Sequence, residues 1–293
     1  MQPAERETIG LIGVGLLGTA LAARWLESGL TVQGFDTAPD RAAALEALGG
    51  RPAPSAAEVA RACTRLVLCL PHSGVTAMVL QEITSVLRPG SLVVDSSTSD
   101  PEFMADTGKQ LAELGVDYVD ACVGGSSAQV RRGEAVVMAG GSVQAWERSR
   151  DLFDAFAKKS WLLGPPGSGA RMKLVFNLVL GLNRAVLAEG LEFAAHAGIA
   201  PSQALEVLRE GAAYSGVMDT KGERMVTADF SPEARLSQHR KDVRLILAAA
   251  ERWGAVTPLS HVHDALLERA EALGYGQADN SAVITAFQSR PDR

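Results

Sequence analysis

Cysteine is scarce: Cys63, Cys69 and Cys122 are the only three in 293 residues. Their number is odd and their spacing matches no metal site, so a disulfide framework is not expected and they read as reduced thiols in a cytoplasmic protein. Positive charge is not in excess either. The net charge of −6 gives no general attraction to nucleic acid or to an anionic membrane. No uninterrupted apolar run reaches spanning length, because charges and turns break each candidate. The polar start, MQPAERETIG, leads straight into a strand and lacks the pattern of a signal peptide. Heptads, low-complexity runs and internal repeats are absent. What remains, 47% hydrophobic and 21% charged, is an ordinary soluble globular composition with length enough for two domains.

The first half has a legible order. TIGLI at 8–12 reads as a buried strand, and GVGLLG follows with glycines at 13, 15 and 18. TALAARWLESG then has helical spacing that Gly29 ends, and a second strand, TVQGF, closes on Asp36. In such a unit Gly13 permits a tight turn, Gly15 lets a pyrophosphate approach the backbone and Gly18 lets helix and strand pack closely. The N–H groups at the helix start then hold phosphates. A carboxylate at Asp36 accepts hydrogen bonds from ribose hydroxyls and repels a 2′-phosphate. Thr37 rather than Arg follows it, and Arg41 falls on the solvent face of the next helix, so NAD is expected and NADP less so.

The alternation continues with strands at RLVLCLP (65–71), SLVVDSST (91–98), VDYVDA (116–121) and AVVMAGG (135–141), and a helix over roughly 142–158. Strands separated by helices predict a parallel sheet covered on both faces. Pro71, Ser73, Ser97 and Thr98 follow strand ends, where they would line the nicotinamide half of a cofactor or simply cap turns and helices. The predicted fold is α/β: a Rossmann-type doubly wound parallel sheet in residues 1–164, then an all-helical domain in 165–293 that opens with a long interdomain helix.

That helix begins in GSGARMKLVFN (167–177) and puts Lys173 and Asn177 four residues apart, on one helical face. Burying a Lys is costly and lowers its pKa, as a proton donor near neutral pH requires. A lysine that snorkels to solvent fits the spacing equally well. Further helices are expected near 202–211, 214–226, 233–252, 257–273 and 279–287. In the third of these, Lys241 and Asp242 read as a surface charge pair. His239, His261 and His263 lack a second pair of ligands at matching spacing, so no metal is expected.

Taken together these motifs resemble the β-hydroxyacid dehydrogenases, the group containing 3-hydroxyisobutyrate dehydrogenase and tartronate semialdehyde reductase. The resemblance runs from about Ile9 to Phe287 and rests on separate motifs in the same order. GVGLLG is similar to the dinucleotide fingerprint, which implies cofactor contacts at Gly13, Gly15, Leu16, Leu17 and Gly18. LPHS at 70–73 and DSSTSDP at 95–101 resemble strand-end cofactor contacts, implying Leu70, Pro71 and Thr98. DACVGGSSAQVRRG at 120–133 resembles the segment that holds the substrate's acid group, implying Val123, Gly124, Gly125, Ser126 and Ser127. GSGARMKLVFN resembles the catalytic-lysine motif, with Lys173 as proton donor and Asn177 as its amide partner. DFSPEARLSQHRKDVRL resembles the C-terminal signature and implies Lys241 near cofactor and substrate; GQADNSA at 276–282 resembles the closing motif.

The resemblance implies reversible hydride transfer between NAD and a small 3-hydroxy acid or its semialdehyde, in a homodimer or homotetramer. The substrate loop departs from the family pattern. Its usual Ser-Gly-Gly aligns with Gly124-Gly125-Ser126, and Cys122 stands where Pro is usual. A related branch, the sulfolactaldehyde reductases, similarly carries Val-Gly followed by Ser or Thr, usually with Arg in place of Gly125. Arg131 and Arg132 are near enough in sequence to help bind an anion, or else face solvent. Imine reductases share the scaffold but usually lack the lysine and prefer NADP. A non-catalytic NAD-binding module is the remaining alternative, and the lysine with its amide argues against it.

Overall fold

The computed structural model describes residues 7–288; the start of the chain at 1–6, part of the polar stretch noted above, lies outside them. Contacts divide the chain into two compact units, Met1–Lys173 and Leu174–Arg293.

The first unit holds strands β1 (Thr8–Ile12), β2 (Thr31–Phe35), β3 (Arg51–Pro52), β4 (Arg65–Leu68), β5 (Leu92–Asp95), β6 (Asp117–Gly124), β7 (Ala135–Gly141) and β8 (Ala157–Leu162). They form one sheet in the order β3-β2-β1-β4-β5-β6-β7-β8. Its helices are α1 (Leu16–Glu27), α2 (Pro39–Ala47), α3 (Ala56–Ala62), α4 (Ser73–Ile83), α5 (Pro101–Glu113), α6 (Ser127–Arg131), α7 (Val143–Glu147) and α8 (Arg150–Asp154). The strands are apolar throughout because both faces are covered. Successive side chains alternate between the two cores: Leu66 and Leu68 pack with Val93 and Met104, and Val67 packs with Ile9, Leu11 and Trp25.

Two expectations for this unit need correction. The sheet is not wholly parallel, since β7 runs antiparallel to β6. Only residues 125–134 separate them, too short a stretch for the crossover a parallel pair needs. The helix expected over 142–158 also breaks. Ser142 caps α7 by accepting from the Ala145 N–H at 3.0 Å, α8 follows, and the chain then forms β8. Only the first two residues of AKKSWL fall within that expected helix, and no strand is expected over the rest; the segment lies at the sheet edge, where exposed Lys158 and Lys159 suit a strand with one side unpaired.

Helix α9 (Ser168–His196) starts in the first unit and continues into the second, which adds α10 (Pro201–Glu210), α11 (Glu223–Thr227), α12 (Leu236–Trp253) and α13 (Pro258–Ala272). The helix expected over 214–226 is instead a π turn, Met218–Gly222, running into α11, and the last expected helix is the 3-10 segment Asn280–Ala286. By length and composition α9 is apolar enough to cross a membrane, contrary to the sequence reading. Its apolar side chains serve a core instead. Leu187, Ala188 and Leu191 pack with Leu205, Leu236, Val243 and Leu267 of the helical unit.

Candidate active site

The turn after β1 has the form a dinucleotide requires. Gly13 takes φ +98°, and a Cβ there would stand 2.2 Å from the Cys69 carbonyl oxygen. A Cβ on Gly18 would stand 2.1 Å from the Gly13 carbonyl oxygen, so α1 packs on the turn only because both are glycine. Gly15 faces open space, with nothing within 4 Å of its missing side chain, and it begins α1 with no side-chain cap on the first-turn N–H groups. That is the cradle into which a pyrophosphate fits. Asp36 closes it. Its Oδ2 accepts from the Val14 N–H at 2.8 Å and its Oδ1 from the Ala38 N–H at 3.0 Å. Each oxygen keeps a further lone pair for a ribose hydroxyl. Arg41 lies beside Asp40, at 3.5 Å.

The strand-end loops are tied by a buried relay that the sequence reading missed. The Tyr118 hydroxyl donates to Asp95 Oδ2 at 3.2 Å, the Ser97 N–H donates to Asp95 Oδ1 at 2.9 Å, and Ser97 Oγ accepts from the Leu70 N–H at 3.0 Å. Burial raises the Asp95 carboxyl above its ordinary value, opposed by the Ser97 and Tyr118 donors. The relay fixes Leu70 and the Ser97–Thr98 loop to each other. Ser97 is therefore a positioning group, and His72, not Ser73, caps α4, its Nδ1 accepting from the Val75 N–H at 3.4 Å.

The substrate-loop candidates follow β6. Ser126 opens α6 with a capping box: its Oγ accepts from the Gln129 N–H at 3.3 Å and its own N–H donates to Gln129 Oε1 at 2.9 Å. The Ser126 N–H is thus engaged within the loop, while its hydroxyl proton stays available to a ligand. Arg132 pairs with Glu134 at 2.8 Å on the exposed side, and Arg131 is exposed.

Lys173 is buried, 9% exposed, and its Nζ donates to the Val123 carbonyl at 2.7 Å. The candidate proton donor and the first residue of the candidate substrate loop are therefore in contact. A second missed residue stands behind them. Asp120, fully buried on β6, accepts from the Gly167 N–H through Oδ1 and from the Ala170 N–H through Oδ2, both at 2.7 Å.

In the helical unit, Asn177 Nδ2 donates to Asp242 Oδ2 at 3.0 Å, and Lys241 Nζ lies 3.1 Å from Asp242 Oδ1. Asp242 thus joins the two candidates of that unit and is no surface residue, being 8% exposed. Asp279 of the closing motif is a hub: it accepts from Lys221 Nζ at 2.9 Å and from the Ala234 and Ser281 N–H groups. Burial alone would raise its carboxyl, but Lys221 and the backbone donors hold it down to about 2. His239 and His263 pack as core side chains, their rings 5.1 Å apart against Gly181. Among the described residues no cluster of metal-binding side chains occurs.

Comparison with known proteins agrees with this geometry. Residues 8–164 match the NAD binding domain of 6-phosphogluconate dehydrogenase, and residues 167–287 match the NAD-binding region of NADP-dependent 3-hydroxyisobutyrate dehydrogenase. The chain is 30% identical to 2-(hydroxymethyl)glutarate dehydrogenase of Eubacterium barkeri, covering 96% of this chain and 94% of that protein. It is also 30% identical to 2-hydroxy-3-oxopropionate reductase of Escherichia coli, covering 96% and 97%. A solved structure of 3-hydroxyisobutyrate dehydrogenase from Salmonella typhimurium superposes with TM-score 0.88 at 30% identity, over 95% of this chain and 99% of that one. With a dinucleotide turn, a buried lysine and relatives of this length, the chain belongs to the β-hydroxyacid dehydrogenase family of NAD(P)-dependent oxidoreductases.

Proposed function

We propose that the protein interconverts a small 3-hydroxy acid and its semialdehyde, using NAD in preference to NADP, with Lys173 as the general acid and base. The observation that carries this reading is the bond from Lys173 Nζ to the Val123 carbonyl. An ammonium has three donors. One is held by Val123, and the reading assigns another of the three to the substrate oxygen. On reduction Lys173 gives that oxygen a proton and keeps an N–H for Val123, so its position is unchanged as its charge is lost. On oxidation the neutral amine takes the hydroxyl proton back. The cofactor, when bound, supplies or accepts the hydride.

Asn177, oriented by Asp242, would hold the substrate, and Lys241 would stand toward cofactor and substrate. Gly124, Gly125, the Ser126 hydroxyl and Ser127 supply donors for the acid group. The hydroxyls at 126 and 127, with glycine at 124, favour a tetrahedral acid such as a sulfonate as the second reading of the same loop. Asp36 supports NAD because a 2′-phosphate would meet its carboxylate. A homo-oligomer fits the apolar face that α9 leaves exposed at Val179, Val186 and Phe193.

The test is an NADH- and NADPH-linked rate panel with methylmalonate, tartronate and succinic semialdehydes, glyoxylate and sulfolactaldehyde, run on the native protein and on Lys173→Ala. The expected result is turnover of one acid-bearing aldehyde, faster with NADH, that falls at least a thousandfold in the variant while NADH binding persists. Equal rates with both cofactors would remove the Asp36 argument. Undiminished turnover by the variant would remove the lysine, and reduction of a cyclic imine alone would reassign the reaction.

A further inference from the structure

We infer that Asp120 is a positioning residue for this reaction: its carboxylate fastens the start of α9 to β6 and so fixes where the amine of Lys173 stands. The inference rests on the reading of Lys173 as the proton donor. An N-cap is ordinarily a neighbour in sequence. Here the acceptor comes from a strand far back in the chain, and its two oxygens take the N–H groups of Gly167 and Ala170 at 2.7 Å each. Ala170 lies three residues before Lys173, and Asp120 three residues before Val123. Helix and strand are therefore pinned at two successive points, Asp120 to the helix start and Lys173 to Val123.

The packing around the carboxylate is built for this contact. A Cβ on Gly140 would stand 2.4 Å from Asp120 Oδ1, and one on Gly169 would stand 2.7 Å from Oδ2 and 2.4 Å from the Met138 carbonyl oxygen. Two glycines thus clear the space that lets the helix start reach the strand. A neutral Ser or Asn would cap at less desolvation cost. A buried carboxylate is the costlier choice, and burial lifts it to about 7 against the pull of its two N–H bonds. What the second oxygen adds is a matched pair of acceptors for two N–H groups at the positive end of a long helix.

The pinning matters because proton transfer is sensitive to displacement of the donor by as little as about 1 Å, which costs on the order of a hundredfold. In Asp120→Asn one oxygen still accepts, but the amide NH2 faces the other N–H, so one pin is lost.

The experiment compares the native protein, Asp120→Asn, Lys173→Ala and the double variant, with the fastest semialdehyde of the panel. The expected result for Asp120→Asn is a kcat lowered about ten- to a hundredfold. Its KM and its NADH dissociation constant, read by nucleotide fluorescence, should stay within about threefold. The ionisation in its kcat–pH profile should move, and the double variant should be no slower than Lys173→Ala alone. Asp120→Glu, which keeps both acceptors but shifts them by one methylene, carries the same expectation should the amide variant not fold. A kcat within about threefold of native, or an equal further loss in the Lys173→Ala background, would overturn the inference and leave a cap of purely structural use. Should Lys173→Ala itself turn over normally, the fault lies with the lysine assignment and not with Asp120.

Discussion

Asn177 and Asp242 share one buried hydrogen bond, 3.0 Å from Nδ2 to Oδ2, with the amide donating and the carboxylate accepting. The direction of the bond fixes the amide: its NH2 is turned to Asp242, which leaves Oδ1 as the atom presented elsewhere. Asp242→Ala should free the amide to rotate and leave Lys241 without its carboxylate. A drop in kcat/KM of about ten- to a hundredfold is expected, with the helical far-UV signal unchanged; steady-state kinetics beside circular dichroism checks it.

Gly15 and Gly18 should separate binding from folding. Gly15→Ala meets nothing within 4 Å, so its thermal midpoint should stay near native while the NADH dissociation constant rises more than about tenfold, because the methyl enters the phosphate cradle. Gly18→Ala forces a Cβ against the Gly13 carbonyl and should cost about 1–3 kcal/mol of stability as well. Calorimetry with and without NADH distinguishes the two.

Asp36 holds the turn through both oxygens and, in the proposed reading, also faces the ribose. Asp36→Ala removes the acceptor of the Val14 and Ala38 N–H groups, so it should weaken binding of both cofactors. If NADH is preferred as proposed, loss of the carboxylate's repulsion should at the same time narrow that preference over NADPH. The ratio of the two dissociation constants is the readout. A selective gain for NADPH with NADH binding intact would mean that the turn does not depend on Asp36.

Two groups should each subtract from stability in acid, His263 first and Asp279 lower, against the opposite contribution of Asp95 and Asp120, whose raised carboxyls take up protons first in the folded chain. Burial, with Arg184 nearby, lowers the His263 imidazole from 6.5 to about 4. Above pH 6.5 neither folded nor unfolded chain holds that proton and the contribution is complete. Between pH 6.5 and 4 the unfolded chain binds it first, and about 3 kcal/mol is lost. Asp279 acts lower: its carboxyl is held down to about 2, so its contribution is present above 3.8 and disappears as pH falls from there toward 2. Urea titrations across pH check this as a difference: native minus His263→Gln should lose stability between pH 6.5 and 4, with the contributions of Asp95, Asp120 and Asp279 common to both proteins.

The cofactor turn was legible because each glycine has a local reason that spacing records. Lys173 was legible only as a pair of alternatives, since a helical face says nothing of what covers it, and burial against Val123 is a property of the fold. Asp120, Asp95 and Asp242 were passed over for the same reason. Each is an acid whose partners lie far away in sequence: the helix start for Asp120, Tyr118 for Asp95, Asn177 for Asp242. β8 goes unread because an edge strand tolerates charges that hide its apolar alternation. The reversal of β7 could have been read from loop length, which is too short between β6 and β7 for any crossover.

That reversal sets how the lysine is delivered. Because β7 returns beside β6 with Gly140 opposite Asp120, and β8 runs parallel to β7, the chain leaving the sheet reaches Asp120 before it turns into α9. The helix then advances from Ala170 to Lys173 while the strand advances from Asp120 to Val123. Angular phase becomes the governing quantity. One residue inserted between 170 and 173 would swing the amine about 100° around the helix axis, away from Val123, with every pin upstream still in place. The segment between those two anchors is therefore a fixed count, in a part of the chain whose side chains could otherwise vary.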